Sequence, residues 1–205
     1  MSPSWTIRRP MIWALVIINI LFIGVIIYLA PRTILRANVS GGASTMPVLA
    51  SIERFELTRE SGEGFSSSSL QGHPWIANFI FTRCPNQCPA MSFRFAALQK
   101  VLPLGVRLVS FSVDPEYDSP TRLQEYAKRF NANPEQWVFL TGSLDVTHRL
   151  QSSLHLIKPD EKDPGLHSLR FVLMDGNNNA RGYYDSEDPA SLEKLTKDLK
   201  KLERS

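Results

Sequence analysis

Cysteine is scarce in this chain. Its 205 residues include two, Cys84 and Cys88, so any thiol chemistry, disulfide or sulfur-ligated metal must use that one pair. Imidazole is nearly as limited, with four histidines: His73, His148, His155 and His167. A basic block with interleaved aromatics is missing and the formal net charge is only +3, which leaves nucleic-acid binding without support. Internal repeats and long low-complexity tracts are absent too. What is present is an ordinary globular composition, 43% apolar and 21% charged, which excludes wholesale disorder. A chain of this length has room for one domain and an appendage.

The appendage is N-terminal. Behind a tail of residues 1–10, the run from Met11 to Ala30 is apolar, with Asn19 its one distinctly polar residue. It matches the ~20 residues that cross a bilayer. Trp13 and Tyr28 stand near its ends, where amphipathic aromatics favour the membrane interface. A cleaved signal peptide would have an apolar core of ~7–15 residues and a small-residue cleavage site. This run is longer and meets Pro31-Arg32, so a retained transmembrane anchor is expected. Arg8 and Arg9 precede it and Arg32 and Arg36 follow, so basic residues do not decide its orientation. The short tail ahead of a single early span favours a signal-anchor with the domain on the extracytoplasmic side. Residues 31–47, containing Ser40-Gly41-Gly42-Ala43-Ser44, read as a flexible tether. Residues 48–205 form the domain.

Within the domain, strand and helix patterns alternate. Arg54 to Thr58 and Phe65 to Leu70 flank Ser61-Gly62-Glu63-Gly64 as a hairpin. Trp75 to Phe81 reads as a buried strand, Ala90 to Val101 as an amphipathic helix, and Val106 to Val113 as a strand. Ser119-Pro120 supplies an N-cap and a first helical residue for a helix to about Phe130. Trp137 to Leu140 is a short strand, and Ser143 caps a helix to about Leu154. Leu169 to Met174 and Ala180 to Tyr184 pair across Asp175-Gly176-Asn177-Asn178. Asp188-Pro189 opens the last helix, to Leu202. This is an α/β pattern with a mixed sheet, in which chemistry gathers at the C-terminal edge of the strands. Cys84, Cys88 and Asp114 all follow strands directly, and His167 begins one.

Two thiols between a strand and a helix can grip a soft metal ion, exchange electrons as a dithiol, or form a small disulfide. Pro85 and Pro89 push both cysteines away from helical angles, which predicts a loop entering a helix at Ala90. There, unpaired amides and the helix dipole favour thiolate. A purely structural bridge would close a tiny loop and add only about 2 kcal/mol. Soft thiolates select copper(I), and imidazole suits copper also. His167 is the strongest third-ligand candidate, since it stands at the mouth of a strand after the polar stretch Asp163-Pro164-Gly165-Leu166. His148 and His155 are expected to share a helix face, and His73 to be exposed in a turn. Asp114, opening the acidic loop Asp114 to Pro120, is an auxiliary candidate for an oxygen ligand or a contact to a basic partner. Most of that loop is accounted for by turn chemistry and helix capping.

These residues resemble the Sco/SenC family of membrane-anchored copper chaperones, which have a thioredoxin-like fold. The likeness rests on Thr82-Arg83-Cys84-Pro85-Asn86-Gln87-Cys88-Pro89, on Ser112-Val113-Asp114-Pro115-Glu116-Tyr117-Asp118-Ser119-Pro120, and on His167-Ser168 ahead of Leu173-Met174-Asp175-Gly176. Thr141-Gly142 after Trp137 adds to it. The resemblance implies that Cys84, Cys88 and His167 hold one copper ion. It implies delivery of that copper to the dinuclear centre of cytochrome c oxidase, or upkeep of that centre's cysteines in reduced form. The implied partners are the oxidase's copper-bearing subunit, an upstream copper donor or thiol reductant, and the membrane, with the domain in a bacterial periplasm or a mitochondrial intermembrane space. Asn86, where the family commonly has Asp, and Leu166 depart from the family pattern; neither removes a ligand. A thiol–disulfide reductase is the competing function, although three residues separate these cysteines where the usual oxidoreductase motif has two. A sensor would need an output domain that Met1 to Pro10 is too short to supply.

Overall fold

The computed structural model describes residues 18, 19, 21, 46–156 and 169–203. The chain divides into two units, Met1–Ala43 and Ser44–Ser205, and the second is described below. Apart from residues 18, 19 and 21, the expected span lies outside the described residues. So do most of the tether and His167. Among the described residues, no helix is long and apolar enough to cross a membrane.

Among the described residues, eight strands form one mixed sheet: β1 (Ala50–Ser51), β2 (Glu56–Arg59), β3 (Gly64–Ser66), β4 (Trp75–Ile80), β5 (Arg107–Ser112), β6 (Trp137–Thr141), β7 (Arg170–Met174) and β8 (Asn179–Asp185). Their spatial order is β1-β8-β7-β4-β5-β6-β2-β3. β4, β5 and β6 run parallel, and the other neighbours pair antiparallel. Among the described residues of this unit, four α-helices pack with the sheet: α1 (Gln87–Val101), α2 (Pro120–Arg129), α3 (Leu144–Ser153) and α4 (Pro189–Leu202). The parallel strands explain the continuous apolar runs. Every residue of β4 and β6 is buried, as expected of strands covered on both faces.

Side-chain alternation divides the core in two. On one face Ile76, Ile80, Leu108, Phe139 and Phe171 meet α1 through Met91 and Phe95, α2 through Leu123 and Tyr126, and α4 through Leu195 and Leu199. On the other, Trp75, Phe79, Phe111 and Val138 pack with Leu57 and Phe65 of the β2–β3 hairpin and with Leu150 of α3. Both cysteines belong to the first face.

Local chemistry sets the helix starts. Ser119 accepts from the Arg122 amide with Pro120 behind it, and Asp188 accepts from the amides of Ala190 and Ser191. Three elements differ from the sequence reading. Residues Ser67–Leu70 wind into a 3-10 turn instead of extending the hairpin, because Ser66 accepts the Ser68 amide and caps it. β1, two residues long, adds an outer strand beside β8. Finally, α1 starts at Gln87 rather than Ala90, so Cys88 is helical. Pro89 falls within the first turn, where its missing N–H has no intrahelical partner to lose.

A buried carboxylate ties α4 to the sheet. Asp198 accepts from the Tyr184 hydroxyl at 2.9 Å and from the Lys194 and Lys201 ammonium groups at 2.6 Å each. Burial alone would raise its pKa, but these bonds more than reverse the effect and bring it to about 2. A depressed folded-state value gives stability that is present above the unfolded value and lost as pH falls through the folded one. Wild type should therefore lose thermal stability between the ordinary 3.8 and about pH 2. Asp198→Asn should lose distinctly less over that window; equal acid sensitivity of the two would show that the clamp is not what titrates.

Candidate metal and dithiol site

The parallel register of β4 and β5 builds the site. Ile80 lies opposite Ser112, so the loops that leave both strands, residues 81–86 and 113–119, emerge side by side at the C-terminal edge of the sheet. Cys84 sits in the first loop, its amide donating to the Phe81 carbonyl at 3.2 Å. Cys88 is the second residue of α1, and its amide donates to the Cys84 sulfur at 3.3 Å. Cys84 is 7% exposed and Cys88 is fully buried. They are not joined as a disulfide.

One carboxylate holds the two loops together. Asp118, fully buried, accepts from the Thr82 amide at 3.1 Å, from the Thr82 hydroxyl, and from the Ser112 hydroxyl at 2.6 Å. The Ser112 oxygen in turn accepts the Asp114 amide at 3.1 Å. At the rim, the Arg83 guanidinium pairs with the Asp114 carboxylate at 2.6 Å. The Tyr117 ring lies 5.0 Å from Arg83 and 3.9 Å from Arg122. The loop thus does more than turn and cap: it clamps the segment that presents Cys84.

The two thiols are electrostatically unlike. Burial pushes the Cys84 thiol up, but the amides of Cys88, Asn86 and Gln87 around its sulfur outweigh this and leave it below the ordinary 9.0. Burial drives the Cys88 thiol far above that value. The Phe81 backbone offsets this only in part, and the Cys84 sulfur and the Asp118 carboxylate add to the rise. Sequence reasoning gave both cysteines the same thiolate-favouring loop; the helical placement of Cys88 corrects that. Amides at the open end of α1 serve Cys84, whereas Cys88 faces the core. The Tyr126 hydroxyl, 3.0 Å from the Ser92 hydroxyl, is a buried neighbour whose own pKa is raised first by burial and also by both cysteines.

This asymmetry predicts site-selective alkylation. With iodoacetamide, Cys84 should react with a midpoint below pH 9.0, while Cys88 stays unmodified until far more alkaline conditions. Fragment mass spectra of the peptide that carries both cysteines would resolve them. Equal labelling would contradict the assignment.

The other candidate ligands fall elsewhere. His73 is exposed in the turn ahead of β4, at the strand end opposite the cysteines. His148 on α3 lines a cleft of about 360 Å³ with Glu53, Arg54 and Phe55, on the other side of the sheet. His155 follows the end of α3 in a left-handed backbone conformation, φ 53°, so it does not continue the helix face of His148. Asp114 reaches the cysteine loop, but its carboxylate is engaged by Arg83. Among the described residues, no third His, Cys, Asp or Glu completes a metal-holding group with the thiols. His167 is outside the described residues. Sequence reasoning missed Asp118 and Tyr126 as neighbours of the thiols. The signal for Asp118 was its place in a loop after a strand that pairs in parallel with the one preceding Cys84.

Fold and site together define a thioredoxin-like α/β domain with a dithiol at the N-terminus of its first helix. The chain belongs to the SCO1/SenC family, whose model matches residues 45–204. It is 32% identical over 161 residues to a SCO1 protein homolog of Bacillus subtilis, covering 75% of this chain and 83% of that protein. Among solved structures it is similar to BsSco, a member of the Sco family of cytochrome c oxidase assembly proteins in which a disulfide switch has been identified. The identity is 32% and the TM-score 0.66, with 76% of this chain and 95% of that one covered. It is also similar to Arabidopsis thaliana ScoI with copper bound, at 26% identity and a TM-score of 0.59, covering 72% and 97% of the two chains.

Proposed function

We propose that this protein binds one copper ion through Cys84, Cys88 and His167 and passes it to the copper-bearing subunit of cytochrome c oxidase during assembly of the dinuclear centre. The observation that carries the reading is the meeting of two thiols at the open end of α1, with the Cys88 amide on the Cys84 sulfur at 3.3 Å. Copper(I) is soft, tolerates low coordination and takes thiolate and imidazole donors, whereas a structural zinc site wants four closed ligands. Copper displaces the Cys88 proton on binding, so affinity should rise with pH. The apolar run 11–30 anchors the domain on the extracytoplasmic face of a membrane, and an upstream donor supplies the metal.

The thiol–disulfide reductase reading rests on a different observation, the unlike pKa values of the two cysteines. In that reaction the Cys84 thiolate attacks one sulfur of a target disulfide, forming a mixed disulfide and releasing the target's other sulfur as a thiolate. Cys88 then loses its proton and attacks the Cys84 sulfur, releasing the target thiolate and leaving a Cys84–Cys88 disulfide for a separate thiol reductant to reduce.

Copper titration of the reduced full-length chain separates the two. The copper reading expects about one equivalent per chain and weaker binding in His167→Ala, on the order of tenfold or more for loss of one of three ligands. Unchanged copper affinity in His167→Ala, with intact reduction of a target disulfide, would favour the reductase.

A further inference from the structure

The outer face of α1 is apolar as well as the inner one. Met91, Phe95 and Leu98 fill the core, while Phe93, Ala97 and Val101 repeat at i, i+4 and i+8 on the solvent side. Phe93 is 66% exposed and Val101 70%, and Leu104 just beyond is 74% exposed. A solvated helix face normally carries polar residues here. The stripe runs about 12 Å along the helix axis. At one end the Phe93 ring meets Phe130 edge-on at 5.0 Å, and along it Arg94, Val101 and Leu192 of α4 line a shallow groove of about 250 Å³.

The charge on α1 has one sign. Between Glu63 and Asp114 the chain contains no acidic residue, so α1 offers only Arg94 and Lys100. The last turn of α2, next to Phe130, adds Lys128 and Arg129. The acid adjacent to Leu192, Glu193, is paired with Lys197 at 2.6 Å. An apolar ridge edged by cations is the pattern of a helix that lies in the plane of an anionic interface.

We propose that the α1 face bearing Phe93 and Val101, with Leu104 just past the helix end, docks on an anionic phospholipid surface. The proposal rests on the anchor reading, because the fifteen residues 31–45 can extend no more than about 50 Å. A tether of that reach keeps the local lipid concentration high enough for weak attraction to suffice. Docking would also fix the height of the dithiol. Cys88 precedes Phe93 by five residues, about 7.5 Å sideways along a helix whose full diameter is about 10–12 Å, so the dithiol stays within roughly a nanometre of the bilayer.

The test is hydroxyl-radical footprinting of the full-length chain in nanodiscs of phosphatidylcholine alone or mixed with phosphatidylglycerol, read by mass spectrometry. Phe93 and Leu104 should lose labelling by about threefold in the anionic discs and recover it at high salt. Exposed Leu144, on α3 at the other side of the sheet, should not change. Arg94→Glu combined with Lys100→Glu should abolish the protection. A chain retained in both discs but labelled equally in each overturns the docking alone. A chain that elutes apart from both discs overturns the anchor, and the docking with it.

Discussion

Asp118→Ala should lower stability by roughly 3 kcal/mol, since each buried polar group left unpartnered costs about 1–3 kcal/mol. The wild-type carboxylate is fully buried and accepts from the Thr82 amide, the Thr82 hydroxyl and the Ser112 hydroxyl. Alanine leaves all three without that acceptor at the seam between the β4 and β5 loops. For a chain of this size the loss is worth roughly 10 °C in thermal midpoint. Asp118→Asn keeps the volume and one acceptor oxygen and should recover more than half of the loss. A thermal melt of the three proteins therefore orders wild type above Asn above Ala. Coincident midpoints would mean that the clamp does not hold the cysteine loop, and that Thr82 and Arg83 are positioned by other contacts.

Cys88→Ser should remove stoichiometric copper(I) binding while leaving the fold in place. The serine oxygen nearly matches the thiol in volume but is a hard donor that copper(I) disfavours. In this variant Cys84 keeps its amide contacts from the first turn of α1, so its alkylation midpoint stays below the ordinary thiol value. Circular dichroism and alkylation of Cys84 thus separate loss of a ligand from loss of structure. Retention of a full equivalent of tightly bound copper by Cys88→Ser would place the metal away from the dithiol.

Much of the fold was legible because it rests on local signals. The apolar run Trp75 to Phe81 read as a buried strand, which the wholly buried β4 bears out, and Ser119-Pro120 and Asp188-Pro189 marked helix starts that the structure bears out with side-chain caps. The Asp175 turn was equally plain, its carboxylate accepting from the amides of Asn177 and Asn179. The errors have physical causes. Pro85 and Pro89 read as holding both cysteines out of the helix, with Pro89 suited to its first position; proline is tolerated through the first turn, so α1 opens three residues earlier than Ala90 and takes Cys88 into the helix. A serine cap, a short-range contact, turned Ser67–Leu70 away from strand.

The site was legible in its residues but not in its asymmetry. Sequence spacing brought Cys84 and Cys88 together; it could not show that one sulfur receives the helix amides while the other points into the core. Asp118 is 36 residues from Thr82 along the chain, and only the parallel pairing of Ile80 with Ser112 brings them into contact. Inter-strand register of that kind leaves no periodic trace in one sequence.

The proposed function turns on the atoms around the metal. Copper K-edge X-ray absorption of the loaded full-length chain, wild type beside His167→Ala, reads them directly. Two sulfurs and one nitrogen are expected at copper in the wild type, with loss of the nitrogen in the variant. A first shell identical in the two proteins, or one without two sulfurs, would contradict the proposed function.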